Sequence, residues 1–259
     1  MTTVNQFVAV IMAGGLGKRM NSTLPKVLHM ISNEPMIVRI IKEVSTIQPK
    51  KIFIVVGKYK SIIETTIARY IDLHLYNIEF ILQPEALGTG HAIQCCVPEL
   101  SKYDFTNVLV LSGDVPLLKS STMLSLLYNV HKAKIMVTEL ENPTGYGRIL
   151  ENMDTHQIQI VEEKDCSPQQ KQIRKVNGGI YAFESHVLCR YIGMLTNDNS
   201  QQEYYLTDVI AIIQREENTA ISLLEIPKEN QLEILGVNTP EQLLDLEEKQ
   251  HQGMKTLIL

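Results

Sequence analysis

The feature that most constrains this chain is a short apolar run, Phe7 to Met12, that ends abruptly in Ala13-Gly14-Gly15-Leu16-Gly17-Lys18-Arg19-Met20. An unbroken apolar run without alternation reads as a strand buried on both faces, as in the interior of a parallel sheet. Glycines directly after such a strand leave consecutive backbone N–H groups bare, so that they can turn toward an anion. The loop is a candidate phosphate cradle, although glycine at a strand-to-helix turn also serves tight packing alone. Spacing removes two common phosphate loops. A Walker A loop would need glycine at Met12 and Ser or Thr at Arg19; the dinucleotide fingerprint would need a third glycine at Met20 and an acid after the second strand, where Val56-Gly57-Lys58 stands.

Behind the loop the period alternates. Pro35 suits a first helical position, and Met36, Ile37, Ile40, Ile41 and Val44 form a stripe at helical spacing before the apolar run Ile52 to Val56. The pattern predicts a helix over Ile62 to Tyr70, a strand at Ile78 to Leu82, a helix after Gly90, a strand at Val108 to Leu111 and a helix around Met123 to His131. Such βαβ alternation implies an α/β fold with a mostly parallel, Rossmann-like sheet and helices on both faces. From about Ile135 the period shortens toward two, with strands predicted at Ile135 to Glu139, Gly147 to Leu150, Gln157 to Val161 and Gly179 to Phe183. That half is expected to be mixed or antiparallel. A helix near Leu206 to Gln214, a strand near Ile221 to Ile226 and a closing helix from Pro240 through Lys249 complete the reading. The expected organisation is one domain, 1–259, with a nucleotide-binding part over about 1–134, a sugar-binding part over about 135–238 and a C-terminal helix over 239–251.

Composition narrows the chemistry. A net charge of −5 disfavours a nucleic-acid surface, yet Lys18, Arg19 and Lys26 gather positive charge at the glycine loop, which suits a small anion. No apolar run approaches the roughly 18 residues of a membrane span, and no signal segment opens the chain, so a soluble cytoplasmic protein is expected. Cys95, Cys96, Cys166 and Cys189 form no C-x-x-C pair, so neither a zinc site nor a disulfide framework is expected. Asp114 lies just beyond the buried strand Val108 to Leu111, at the strand end where ligands collect in open parallel sheets, and is the first candidate metal ligand; a turn-forming aspartate would look the same.

The glycine loop together with Leu24-Pro25-Lys26 resembles the signature of the sugar-nucleotide pyrophosphorylases. Further segments resemble one branch of that family, the bacterial N-acetylglucosamine-1-phosphate uridylyltransferases: Pro25 to His29, Gln83 to Ala92, Ser112 to Leu117, Gly145 to Ile149, Ile160 to Asp165, Asn177 to Tyr181, Glu203 to Asp208 and Gly236 to Asn238. The segments follow the family's order over essentially the whole chain. Two positions depart from it, since Gly14 stands where that branch commonly has alanine and Gly178 where a small polar residue is commoner.

The resemblance implies transfer of a uridylyl group from UTP to N-acetylglucosamine 1-phosphate with release of pyrophosphate, assisted by Mg²⁺. Such transfer needs alignment and charge neutralisation more than covalent help. Arg19, with its planar fork of donors, and Lys26, a mobile point charge, are the catalytic candidates. Asp114 and Asn238 are the implied metal ligands; Asn238 before Thr239-Pro240 could equally cap the last helix. The nucleotide falls to Ala13, Gly14, Gly15, Gln83, Gly88 and Thr89, with the Gln83 amide offering donor and acceptor to the base. The sugar falls to Gly147, Glu162 and Asn177, and its N-acetyl group to Glu203, Tyr205 and Thr207. Bacterial members usually carry a C-terminal β-helix that transfers acetyl groups. No hexapeptide-type repeat occurs in these 259 residues, so acetyl transfer is not expected of them. Three other readings compete: a pyrophosphorylase for another sugar such as glucose 1-phosphate, a glycosyltransferase, and a non-catalytic sugar-nucleotide-binding subunit. Against the second, Ser112-Gly113-Asp114 holds one carboxylate where an Asp-x-Asp motif needs two.

Overall fold

A computed structural model describes residues 6–256. The first half builds β1 (Phe7–Met12), a small hairpin of β2 (Met30–Ile31) and β3 (Glu34–Pro35), α1 (Met36–Ser45), β4 (Ile52–Val56), α2 (Lys60–Tyr70), β5 (Ile78–Leu82), α3 (Thr89–Gln94), α4 (Val97–Leu100), β6 (Asn107–Ser112) and α5 (Ser120–Leu127). The second half adds β7 (Ala133–Glu139), β8 (Arg148–Glu151), β9 (Ile158–Val161), β10 (Lys175–Glu184), α6 (Ser185–Tyr191), α7 (Asp208–Glu217), β11 (Ser222–Glu225) and α8 (Pro240–Thr256). The main sheet runs β11-β7-β10-β6-β1-β4-β5, with β8 and β9 attached through β10. The β6-β1-β4-β5 block is parallel throughout, and β10 enters antiparallel between β6 and β7. The expected α/β fold, with a mostly parallel sheet and a mixed second half, is what the chain adopts.

Alternate residues of the central strands feed two cores. Ala9, Ile11, Ile54, Leu109 and Leu111 pack with Ile37, Ile40 and Ile41 of α1 and Met123 and Leu126 of α5. Val8, Val10, Phe53, Val108 and Val110 pack on the other face with Ile93 of α3, Leu188 of α6 and Ile210 and Ile213 of α7. Both faces are therefore covered by helices, which is why the strands carry unbroken apolar runs. Truncating a fully buried member such as Phe53 to alanine would cost about 3–5 kcal/mol, so these two cores anchor the strands whose ends bear the site.

Several boundaries differ from the sequence reading, each for a local reason. Pro35 pairs with Met30 in the hairpin and precedes α1 instead of starting it. The helix predicted around Met123 to His131 begins at Ser120 and stops at Leu127, because Tyr128 is extended and Asn129 takes φ 53°. The strand predicted from Gly179 runs from Lys175, since the chain stays paired through Gly178-Gly179, where β10 carries an irregularity between Asn177 and Tyr181. The helix α6 had no expectation. Among the described residues no helix is long and apolar enough to cross a membrane.

Candidate active site

The parallel strands β1, β6 and β5 end together at Met12, Ser112 and Leu82, and the chain leaves them into Ala13 to Lys18, Gly113-Asp114 and Gln83. Ligands of open parallel sheets collect outside these carboxyl ends. Two adjoining cavities open there. One, about 590 Å³, is lined by Ala13, Gly14, Gly15, Lys18, Arg19, Lys26, Gln83, Gly88 and Glu203. The other, about 170 Å³, is lined by Gly147, Glu162, Asn177, Tyr146 and Tyr181. Thr89, Ser112, Asp114 and Asn238 border both.

At this junction the sequence-distant candidates converge. Lys26, on a short 3-10 turn after Pro25, donates from Nζ to Asp114 Oδ2 and to Asn238 Oδ1, the latter at 2.9 Å. Arg19 Nη2 donates to the same Asn238 Oδ1 at 2.9 Å. Ser112 Oγ holds the other Asp114 oxygen at 2.6 Å, and the Val237 N–H donates to the Asp114 carbonyl at 2.9 Å, stitching segment 236–238 to the end of β6. Burial alone would raise the Asp114 carboxyl, but the Lys26 ammonium and the Lys26 and Ser112 hydrogen bonds outweigh it and hold its pKa below the ordinary value. The cap of α8 is Thr239, whose Oγ1 accepts from Gln242 N at 3.3 Å, so Asn238 Oδ1 remains directed at the cations.

On the glycine-loop side, Gln83 Nε2 donates to the Gly88 carbonyl at 3.0 Å. A carbonyl only accepts, so this contact fixes the amide with Oε1 outward, resting 2.5 Å from where a Cβ on Gly14 would stand. The glycine at this position thus lets Gln83 lie across the loop. Backbone hydrogen bonds from Tyr204 N to Leu87 O (2.8 Å) and from Gly90 N to Tyr204 O (2.7 Å) bind segment 203–205 to this side, and Thr89 Oγ1 accepts from Leu206 N at 3.0 Å.

In the second cavity, Glu162 Oε1 accepts from Thr207 Oγ1 at 3.0 Å, and Asn177 Nδ2 donates to Tyr181 Oη at 2.6 Å across the irregularity in β10. Burial pushes the Glu162 carboxyl up, the Thr207 hydroxyl opposes this in part, and the charges of Asp208, Asp165 and Glu203 add to the rise. The three residues assigned by resemblance to an N-acetyl wall have different partners. Glu203 borders the glycine-loop cavity, Thr207 supports Glu162, and Tyr205 Oη is engaged with Asp165 Oδ2 (3.1 Å) and Gln201 Nε2 (3.0 Å). Ser112, Tyr146 and Tyr181 also line the site, within segments that carry the family resemblance, and the sequence alone assigns them no role. Only the position of Ser112, two residues before Asp114, offered a local signal.

Comparisons with known proteins bear on this geometry. The family model described as "Nucleotidyl transferase" matches residues 8–228. A protein of Acanthamoeba polyphaga mimivirus named "Probable UDP-N-acetylglucosamine pyrophosphorylase" is 44% identical over 238 residues, covering 90% of this chain and 92% of that protein. The "Bifunctional protein GlmU" of Xanthomonas oryzae pv. oryzae is 42% identical over 92% of this chain and 50% of its own length, and that of Dechloromonas aromatica is 41% identical over 94% and 51%. The chain thus spans about half the length of these bifunctional relatives.

Proposed function

We propose, on the premise that this chain belongs to the nucleotidyl transferase family, that it transfers a uridylyl group from UTP to N-acetylglucosamine 1-phosphate, giving UDP-N-acetylglucosamine and pyrophosphate. The observation that carries the reading is the junction itself: Arg19, Lys26, Asp114 and Asn238 meet where a glycine-loop cavity opens into a second cavity with polar walls. The division into a nucleotide-binding part over 1–134 and a sugar-binding part over 135–238 belongs to the same proposal, as does a cytoplasmic setting.

An oxygen of the sugar 1-phosphate attacks the α-phosphorus of UTP; a new P–O bond forms as the bond to the β-phosphate oxygen breaks, and pyrophosphate leaves with that electron pair. The nucleophile is already ionised, so no protein base is required. Arg19 and Lys26 are the cations that meet the phosphates, and the N–H groups of Gly14 and Gly15 supply neutral donors beside them, while the Ala13 N–H, held by the Val55 carbonyl at 2.8 Å, anchors the start of the loop to β4. Gln83 presents Oε1 to the base, which favours uracil, whose N3–H donates, over cytosine, whose N3 accepts. Gly147, Glu162 and Asn177 receive the sugar, with Thr207 fixing the Glu162 carboxylate; Glu203 closes the rim of the glycine-loop cavity, and Tyr205, bonded to Asp165 and Gln201, holds segment 203–205 in place.

The donor set fits Mg²⁺. A carboxylate and an amide carbonyl are hard oxygens, and the ammonium bridging Asp114 and Asn238 already marks the place as a cation seat. Bound there, Mg²⁺ would screen the triphosphate and polarise its oxygens. Pyrophosphate release should be measured with four nucleoside triphosphates against N-acetylglucosamine, glucose and galactose 1-phosphates. UTP with N-acetylglucosamine 1-phosphate should be the best pair. Equal turnover of glucose 1-phosphate would refute the sugar assignment, and turnover of no pair would refute transfer altogether.

A further inference from the structure

Among the described residues Arg148 is the largest fully buried side chain, at 1% exposure, and no part of the reaction described above uses it. A buried guanidinium is costly unless charge and hydrogen bonds compensate it. Here Nη2 pairs with Glu163 Oε2 at 2.7 Å and donates to Lys171 O at 3.3 Å, while Nη1 donates to the Tyr146 carbonyl. Its place in the sheet is more informative than its partners. Arg148 is registered with Val161 on β9 and with Val176 on β10. Each member of this row is the chain neighbour of one sugar-facing residue: Gly147 beside Arg148, Glu162 beside Val161, Asn177 beside Val176. Neighbours along a strand face opposite sides, so the guanidinium lies behind the row that Gly147, Glu162 and Asn177 present to the cavity. It grips both flanks of that row, through Tyr146 on one side of Gly147 and through Glu163 on the far side of Glu162.

The spacing it guards is tight. A Cβ on Gly147 would stand 3.5 Å from Glu162 Oε2 and 3.7 Å from Asn177 Cβ, and the Gly147 carbonyl accepts from Asn177 N at 2.9 Å. We infer that Arg148, paired with Glu163, is a positioning residue that sets the separation of Gly147, Glu162 and Asn177 and hence the fit of the sugar. The inference rests on reading those three as sugar contacts. It predicts a defect expressed in the sugar, because Arg148 and Glu163 bond to the strands behind the sugar-facing row, and the link from Arg148 toward Asp114 runs indirectly, through Tyr146, whose hydroxyl accepts from Gly236 N at 3.3 Å.

The test compares Arg148→Lys and Glu163→Gln with the parent, using whichever sugar 1-phosphate the parent turns over best. A parent that prefers another sugar would then overturn the proposed substrate while leaving this test intact. Both variants should raise KM for the sugar 1-phosphate about tenfold or more, with KM for the nucleotide unchanged and kcat within about twofold. Calorimetry should give the same split, with weaker binding of the UDP-sugar product and unaltered binding of UDP. Glu163 is a quarter exposed, so Glu163→Gln decides the matter should Arg148→Lys fail to fold. A folded Glu163→Gln protein with parental sugar KM would overturn the inference, as would sugar and nucleotide KM rising together.

Discussion

Lys26 occupies the seat proposed for the metal, and this gives Lys26→Met two opposite consequences. In the free protein its ammonium bridges Asp114 and Asn238, so a divalent cation must displace it to reach the same oxygens. Hydrogen bonds to a charged group contribute about 1.5–3 kcal/mol. The side chains of Lys26 and Asp114 are 18% and 11% exposed, so solvent screens the contact only partly, and a middle value of about 2 kcal/mol is appropriate. Removing the competitor should tighten divalent-cation binding to the free protein by that amount, roughly 30-fold. The same change removes a cation aimed at charge developing in the transition state, so kcat should fall by about 10²–10³, while the nucleotide Kd changes little. Titration calorimetry with Mn²⁺ and Mg²⁺ on the free parent and variant reads the first effect, and pyrophosphate release at saturating metal reads the second. Methionine keeps the aliphatic stem, so packing is preserved. Cation affinity that stays the same or weakens in the variant would refute the shared seat, and an unchanged kcat would remove Lys26 from the mechanism.

Asp114→Asn keeps the shape of the junction but removes its one carboxylate, so turnover should fall about 100-fold, close to 3 kcal/mol, with a raised Mg²⁺ requirement; parental behaviour at low Mg²⁺ would show the ligand misassigned. Asn238→Ala should do less, measured in the same metal titration. Since the folded protein holds the Glu162 carboxyl above its ordinary pKa of 4.5, the folded state binds that proton more tightly than the unfolded chain. Its contribution to stability is therefore present at low pH and lost as pH rises from the ordinary carboxylate range through the raised value. Ionisation over the same window should lower KM for the sugar, because a carboxylate accepts hydroxyl hydrogen bonds. Glu162→Gln should accordingly raise Tm at neutral pH and flatten that pH profile, and a profile unaltered by the substitution would disprove the assignment.

What could be read from sequence follows the range of the interactions. The glycine loop after β1 and the alternation of strands and helices are local patterns, and they placed β1, β4, β5 and α2 closely. The meeting of Asp114 with Asn238 is a long-range event created by the Val237 to Asp114 backbone hydrogen bond. It entered the sequence reading only through resemblance. The first residues of β10, from Lys175, were not legible because glycines inside a strand carry no strand pattern, and only the pairing of β10 with β7 on both sides of Gly178-Gly179 shows that the strand continues through them. Arg148 was invisible for a different reason: in an amphipathic pattern an arginine marks the solvent side, and nothing local announces that Glu163 and two carbonyls will meet it in the interior.

The antiparallel entry of β10 between β6 and β7 also governs how this chain must be made. Synthesis proceeds from the N-terminus, so β6 and β7 both emerge well before the strand that will lie between them. Until then each presents an open row of N–H and C=O groups beside apolar side chains, the kind of edge that recruits other chains. The strand that closes the gap is also the one that carries Asn177, so the nascent protein stays prone to aggregation for the same interval in which it cannot yet form a sugar pocket. Ribosome stalling placed before β10 should therefore yield chaperone-bound, protease-sensitive nascent chains, and stalling beyond β11, which pairs with the remaining edge of β7, should yield protected ones.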